Sequence, residues 1–275
     1  MKNIFTVDLE DWYQGLEIPP EKWGFFEKRL QQSALSVLKL LGENNAKATF
    51  FVLGDVARQY PGLIKRISQE GHEIGTHGYS HKFVYNQTPD EFRKDLNDSM
   101  KVISDITGMS VKLHRAPFFS ITKESLWAFD ILSELGIECD SSVFPTVNYR
   151  YGIIDAPTVP YSINTGSGRS IKEIPITTFR FMARNMPFSG GAYFRIFPYW
   201  FVASVIKNLN KKSIPVVFYM HPWEIDPGHP RIKLPKRVSL THYYNLSGCR
   251  AKLKRLLSDF QFTTMSEGMK SFSKT

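Results

Sequence analysis

Short apolar runs alternate with helical periodicities along the whole chain, and that alternation limits the fold more than any other feature. NIFTV (3–7), KATFFVL (47–53), HEIGTH (72–77), VKLHRAP (111–117), IECDSS (137–142), IKEIP (171–175) and PVVFYMH (215–221) read as strands, and FQFTTM (260–265) closes the chain. Between the first two, Phe26, Leu30, Ala34, Val37, Leu38 and Leu41 recur at the spacing of one helix face, and Gly42 follows as a stop. Leu63, Ile64 and Ile67 predict a helix beginning near Pro61. At the next helix start Thr88 caps, Pro89 fits the first turn and Glu91 completes a capping box; Phe92, Leu96 and Ile103 then mark one face up to Gly108. Further helices are expected over 123–135, near 197–209 and over 247–258, with an irregular stretch at 143–170. Strands alternating with helices make a parallel sheet under helical cover. About seven such units, with no linker, repeat or low-complexity segment between them, predict one domain over 1–275, wound as a closed or nearly closed (β/α) barrel.

In such folds reactive side chains gather where the strands end. Asp8, Glu10 and Asp11 follow the first strand, His77 and His81 the third, and His114 and Arg115 lie on or after the fourth. Asp140 closes the fifth strand, Glu173 lies on the sixth and His221 ends the seventh. His77 and His81 stand four apart, a spacing that shares one face of a helical turn. Two neutral imidazoles and one carboxylate leave coordination positions open on a divalent metal, the donor set of hydrolytic zinc sites and of other first-row metals. A free carboxylate and a histidine opposite would then serve as base and acid. Singly, each residue has an ordinary structural role: His114 as a hydrogen-bonded strand histidine, Glu10 and Asp11 as loop caps. The conjunction carries the reading.

Composition narrows the partners. The formal charge is +9, yet the basic stretches RIKLPKR (231–237) and CRAKLKRLL (249–257) come with no nucleic-acid motif, and the second reads as the solvated face of a helix. Two distant cysteines, Cys139 and Cys249, form no disulfide framework and fit a reducing compartment. The start, MKNIFTVDLEDW, lacks the apolar region of a secretory signal. IFPYWFVASVI (196–206) is too short to span a bilayer. The expectation is a cytoplasmic protein that visits the inner membrane face.

TVDLED (6–11), HGYSH (77–81), RAPFFS (115–120) and FYMHPWE (218–224) resemble, in order, the motifs of the polysaccharide deacetylases, the NodB-homology group or carbohydrate esterase family four. DLEDW, GGAYFRIFPYW (190–200) and MHPWEIDPGHPR (220–231) resemble a branch found with exopolysaccharide and surface-glycan biosynthesis. The resemblance spans most of the chain. It implies a distorted (β/α) barrel and a metal-dependent N-deacetylase acting on an N-acetylated glycan or lipid-linked sugar precursor. It implies Asp8 as base, His77 and His81 as metal ligands, Arg115 as the residue steadying the base, and His221 as acid. The metal would be zinc, with cobalt, nickel or manganese as alternatives.

Most members carry two adjacent aspartates, the second a ligand; here Leu9 follows Asp8. Side chains two apart on a strand share a face, which favours Glu10 as the third ligand, with Asp11 the alternative. The departure also opens a second reading, a cyclic imide or ureide hydrolase of allantoinase type. A third is a glycan-binding protein with a silent site. Asp140 and Glu173 are candidates for orienting His221, and Trp223 is the candidate sugar-stacking residue.

Overall fold

The computed structural model describes residues 1–146, 148 and 150–272. Val147 and Tyr149, within the expected irregular stretch, and residues 273–275 lie outside the described residues. The strands are β1 (Asn3–Leu9), β2 (Thr49–Val52), β3 (Glu73–Thr76), β4 (Leu113–His114), β5 (Cys139–Asp140), β6 (Tyr161–Asn164), β7 (Ser170–Glu173), β8 (Thr178–Phe181), β9 (Arg184–Pro187), β10 (Val217–Met220) and β11 (Phe262–Thr263). The chain divides into two compact units, Met1–Ala48 with Phe188–Thr275, and Thr49–Pro187.

In the first unit β1 runs parallel to β10, with Ile4 opposite Val217 and Val7 opposite Met220, and parallel to β11. All seven residues of β1 are buried, as a strand covered on both faces requires. Phe5, Phe218 and Phe262 pack with ring centroids 5.3 to 6.3 Å apart. The helix Leu30–Glu43 buries Leu30, Ala34, Val37, Leu38 and Leu41, the face its periodicity announced. The helix Leu246–Asp259 buries Leu246, Cys249, Leu253, Leu256 and Leu257, which leaves its basic residues outward. Gly190, at φ +150°, pairs with Tyr219 beside β10; an added Cβ would lie 2.0 Å from the Tyr219 carbonyl oxygen, so only glycine fits.

In the second unit β2, β3, β4, β5 and β7 pair in that order, all parallel, and β6 joins β7 antiparallel. The register opposes Thr76 to His114, His114 to Asp140 and Asp140 to Glu173, one polar row across four strands. The helix Pro89–Thr107 starts as expected: the Glu91 N–H donates to Thr88 Oγ1 and the Thr88 N–H to Glu91 Oε2. It ends on Gly108 at φ +71°.

The α/β class and its parallel pairing stand. Within the second unit, however, the path is open at β6, and antiparallel elements interrupt the repeat. β6 lies inside the stretch expected to be irregular, and the hairpin β8–β9 had no counterpart in the reading of the sequence. The helix expected over 123–135 is a 3₁₀ turn, Lys123–Ser125, followed by a shorter helix, Ala128–Glu134.

Candidate active site

β1 delivers Asp8 on its last turn of chain and Glu10 immediately after it, both almost wholly buried. Asp11 is committed elsewhere. Its Oδ1 accepts the Trp12 N–H, and its Oδ2 accepts the N–H groups of Arg29 and Leu30, where the helix Leu30–Glu43 begins. Burial pushes this carboxyl up, and the three backbone donors hold it back. A carboxylate that accepts two N–H groups at a helix N-terminus is a cap, which leaves Glu10 as the candidate ligand.

His221 ends β10 and caps the 3₁₀ turn Pro222–Ile225. Glu224 Oε1 lies 2.9 Å from His221 Nδ1 and accepts the His221 backbone N–H at 3.0 Å. His221 Nε2 faces Glu10 Oε1 at 3.1 Å and Asp8 Oδ2 at 3.9 Å. Burial disfavours the imidazolium, but the carboxylates of Glu10, Glu224 and Asp8 outweigh it and push His221 up to about 9. Arg195, fully buried, donates from Nε to Glu224 Oε2 at 2.7 Å and from its terminal nitrogens to the carbonyls of Thr241, His242 and Tyr244. Burial would raise Glu224; Arg195 and His221 together bring it down to about 2. Sequence reasoning passed over Glu224 and Arg195. The available signal was the spacing of His221 and Glu224, that of a capping box.

The residues considered for orienting His221 have another role. Asp140 accepts from His114 Nδ1 at 2.6 Å and from Ser142, and Glu173 Oε1 accepts the Val143 N–H. Burial and the neighbouring Asp140 push the Glu173 carboxyl well up, toward its neutral form. The register row explains the group: cross-strand neighbours share one face of the sheet.

His77 follows β3, its N–H donating to the Val52 carbonyl. Its Nδ1 lies 2.7 Å from the Arg115 carbonyl oxygen. A carbonyl only accepts, so Nδ1 carries the proton and the Nε2 lone pair is presented outward, the arrangement of a ligating histidine. The segment to His81 is not helical, contrary to the expectation from its spacing. It bends through Gly78 at φ +74° and His81 at φ +54°. Asp95, on the helix Pro89–Thr107, holds the bend by accepting the N–H groups of Tyr79 and Ser80 and the Ser80 hydroxyl. Arg115 is buried, donates to the carbonyl and hydroxyl of Ser141, and stacks 4.3 Å over Phe51.

Glu10 in the first unit and His77 and His81 in the second are all buried, and each offers one ligand atom suited to a metal. The donor set and the tautomer fixed on His77 fit a divalent cation. Trp223 is placed differently from a sugar platform. It is 6% exposed, with the rings of His221 and His242 stacked on it at 5.3 and 4.3 Å. It belongs to an apolar cluster with Trp12, Tyr13 and Tyr243, and little of its ring is left for a sugar.

Residues 25–139 match the family model described as polysaccharide deacetylase, and residues 141–270 a model described as a domain of unknown function, DUF3473. A peptidoglycan-N-acetylglucosamine deacetylase of Bacillus cereus is 32% identical over 117 residues, 38% of this chain and 42% of that protein. The deacetylase PgdA of Listeria monocytogenes is 32% identical over 115 residues, 42% of this chain and 23% of that protein. The chain thus spans less than half the length of these relatives. A solved structure titled a putative polysaccharide deacetylase from Mycobacterium smegmatis aligns over 98% of this chain and 90% of that one, with a TM-score of 0.66 at 20% identity, a likeness of fold. The cytoplasmic placement drawn from the N-terminus is overturned by these relatives, which are named for peptidoglycan, a polymer that lies outside the cytoplasm. No helix among the described residues is long and apolar enough to cross a membrane. Over residues 25–139 the chain is thus similar to the polysaccharide deacetylases, and the ordered motifs and the histidine and carboxylate donors agree with that likeness.

Proposed function

We propose that the chain is a metal-dependent N-deacetylase, cleaving an acetyl group from an N-acetylated aminosugar of a bacterial surface glycan. The observation that carries this reading lies within the first unit, where His221 Nε2 faces Glu10 and Asp8; with His77 and His81 of the second unit, Glu10 completes the donor set of a metal site. The whole chain would act as one catalytic domain, on a distorted (β/α) barrel of about seven strands. A divalent cation held by Glu10, His77 and His81, zinc first and cobalt, nickel or manganese as alternatives, would supply Lewis-acid chemistry: a more acidic water and a polarised carbonyl.

The chain's own groups do the rest. Asp8, steadied by Arg115, takes a proton from water as its oxygen attacks the acetyl carbon. The C–N bond then breaks, and His221 Nε2 gives a proton to the departing nitrogen, so acetate and a free amine result. Glu224 holds Nδ1 and thereby aims Nε2 into the site, and Arg195 keeps Glu224 ionised. Trp223 acts on the substrate through His221, which rests on its ring.

The test is acetate release from peptidoglycan and N-acetylglucosamine oligomers by chelator-treated protein, with and without added zinc. Zinc-dependent release lost in Asp8→Asn supports the proposal; release that survives in Asp8→Asn removes Asp8 from its role. Leu9 in place of a second aspartate favours one rival, hydrolysis of a cyclic imide or ureide. Ring opening of hydantoin or allantoin without acetate release would favour that rival.

A further inference from the structure

The helix Tyr199–Lys211 buries Val202, Ala203 and Ile206. Its opposite side borders a groove of about 690 Å³, closed on the other flank by Arg255 and Asp259. Trp200, Ser204, Lys207 and Lys211 follow one another at spacings of four, three and four, so they form a stripe about 16 Å long on one helix face. Trp200 is 71% exposed, an indole held in water at one end of the stripe. Lys207 and Lys211, joined by Lys212, stand exposed at the other.

The two flanks differ electrically. Asp259 accepts the Tyr199 hydroxyl at 2.6 Å and pairs with Arg255 at 3.7 Å, and the Arg255 guanidinium lies 4.3 Å over the Tyr199 ring. That wall is tied together and balanced. Lys207, Lys211 and Lys212 make no ion pair among the described residues. Three like charges along one groove create a positive field that an anionic partner relieves.

We propose that this groove binds an anionic glycan strand, its sugar rings bearing carboxylate or phosphate groups. The C–H face of one ring lies on the Trp200 indole, and the acidic groups meet Lys207, Lys211 and Lys212. A concave surface lined by Ser204 and one exposed large apolar side chain suits a sugar chain better than a lipid surface, which takes a continuous apolar face. Single-stranded nucleic acid stacks on successive aromatics, where this groove exposes one. None of these residues belongs to the candidate active site, and binding is read without turnover.

Calorimetric titration of the full chain tests the proposal with oligogalacturonate for carboxylate, a phosphomannan fragment for phosphate, and a neutral N-acetylglucosamine oligomer, phosphatidylglycerol vesicles and oligo(dT) for comparison. One of the two acidic glycans is expected to bind more tightly than the other three. Binding should weaken at least about tenfold as salt shortens the Debye length from about 10 to about 3 Å. Lys207→Glu with Lys211→Glu should abolish it, and Trp200→Ala should weaken it several-fold, with unchanged melting temperatures. The proposal is overturned if neither acidic glycan binds, if vesicles or oligo(dT) bind as well or better, or if the variants bind like the wild type.

Discussion

Two strand-end histidines of this chain hold a carboxylate through Nδ1: His114 with Asp140 at 2.6 Å, in the second unit, and His221 with Glu224 at 2.9 Å, in the first. The local chemistry is the same and the surroundings are opposite. His114 and Asp140 are fully buried, Phe92 packs edge-on against the imidazole, and Nε2 meets no partner among the described residues. His221 is 18% exposed and turns Nε2 toward Glu10 and Asp8. The charge is also settled differently. Burial and Asp140 push Glu173 toward its neutral form, whereas Arg195 supplies a fixed cation to Glu224. A sealed imidazole holds strands together; one whose second nitrogen reaches other reactive groups is equipped to move a proton.

The comparison breaks if the two histidines exchange phenotypes. His221→Ala should lower acetate release by roughly 10²- to 10⁴-fold, the scale of one positioned acid, with a melting temperature near that of the wild type. His114→Ala leaves Asp140 buried without its partner and should cost about 3–5 kcal/mol of stability, read by urea denaturation, while the rate per folded molecule stays within a few-fold. A stable, inactive His114→Ala would show that the second-unit pair takes part in the chemistry.

Glu224→Gln sharpens the contrast. It keeps the shape but withdraws the negative charge from His221, and activity should fall roughly 10- to 100-fold, the usual cost of losing a partner that orients a functional histidine. Asp140→Asn should leave activity per folded molecule unchanged. Arg195→Met strips the cation from a buried carboxylate; it should lose activity in step with Glu224→Gln and stability besides. Equal activity losses in Glu224→Gln and Asp140→Asn would erase the distinction.

The contrast also marks what the sequence could disclose. The polar residues at strand ends were legible because a strand's end is a local pattern: Asp8, His77, His114, Asp140 and His221 all sit where the apolar runs stop. The preference for Glu10 followed from the two-residue period of a strand, but its reason, Asp11 capping a helix some 18 residues on, is a contact between segments that no periodicity records. Glu224 was hidden for another cause. Three residues after His221 it reads as a cap, and only the buried Arg195 reveals it as a charged member of a chain of groups. The bend at Gly78 defeated the helical spacing of His77 and His81 because Asp95, on a separate helix, fixes it. The hairpins of β6 with β7 and β8 with β9 broke a repeat that pattern alone continued.

The smallest expected effect concerns a third buried histidine, packed under the first-unit pair. Burial, with His229 and Arg195 adding to it, depresses His242 to about 3, so the folded protein keeps this imidazole neutral. An unfolded chain takes up the proton near the ordinary value of about 6.5. The unfolded state therefore binds more protons as the pH falls from about 6.5 toward 3. The stabilising contribution is complete above that window and drains away below it. At pH 5 the loss amounts to roughly 2 kcal/mol for one such group. His242→Phe, which preserves a ring against Trp223, should flatten the fall in denaturation free energy between pH 7 and pH 5 by about that amount. His229, also depressed by burial, remains in the variant and keeps part of the slope. A variant whose stability falls with pH as steeply as the wild type would mean that His242 is already protonated in the folded protein, and the ring stack on Trp223 would then carry a charge beneath His221.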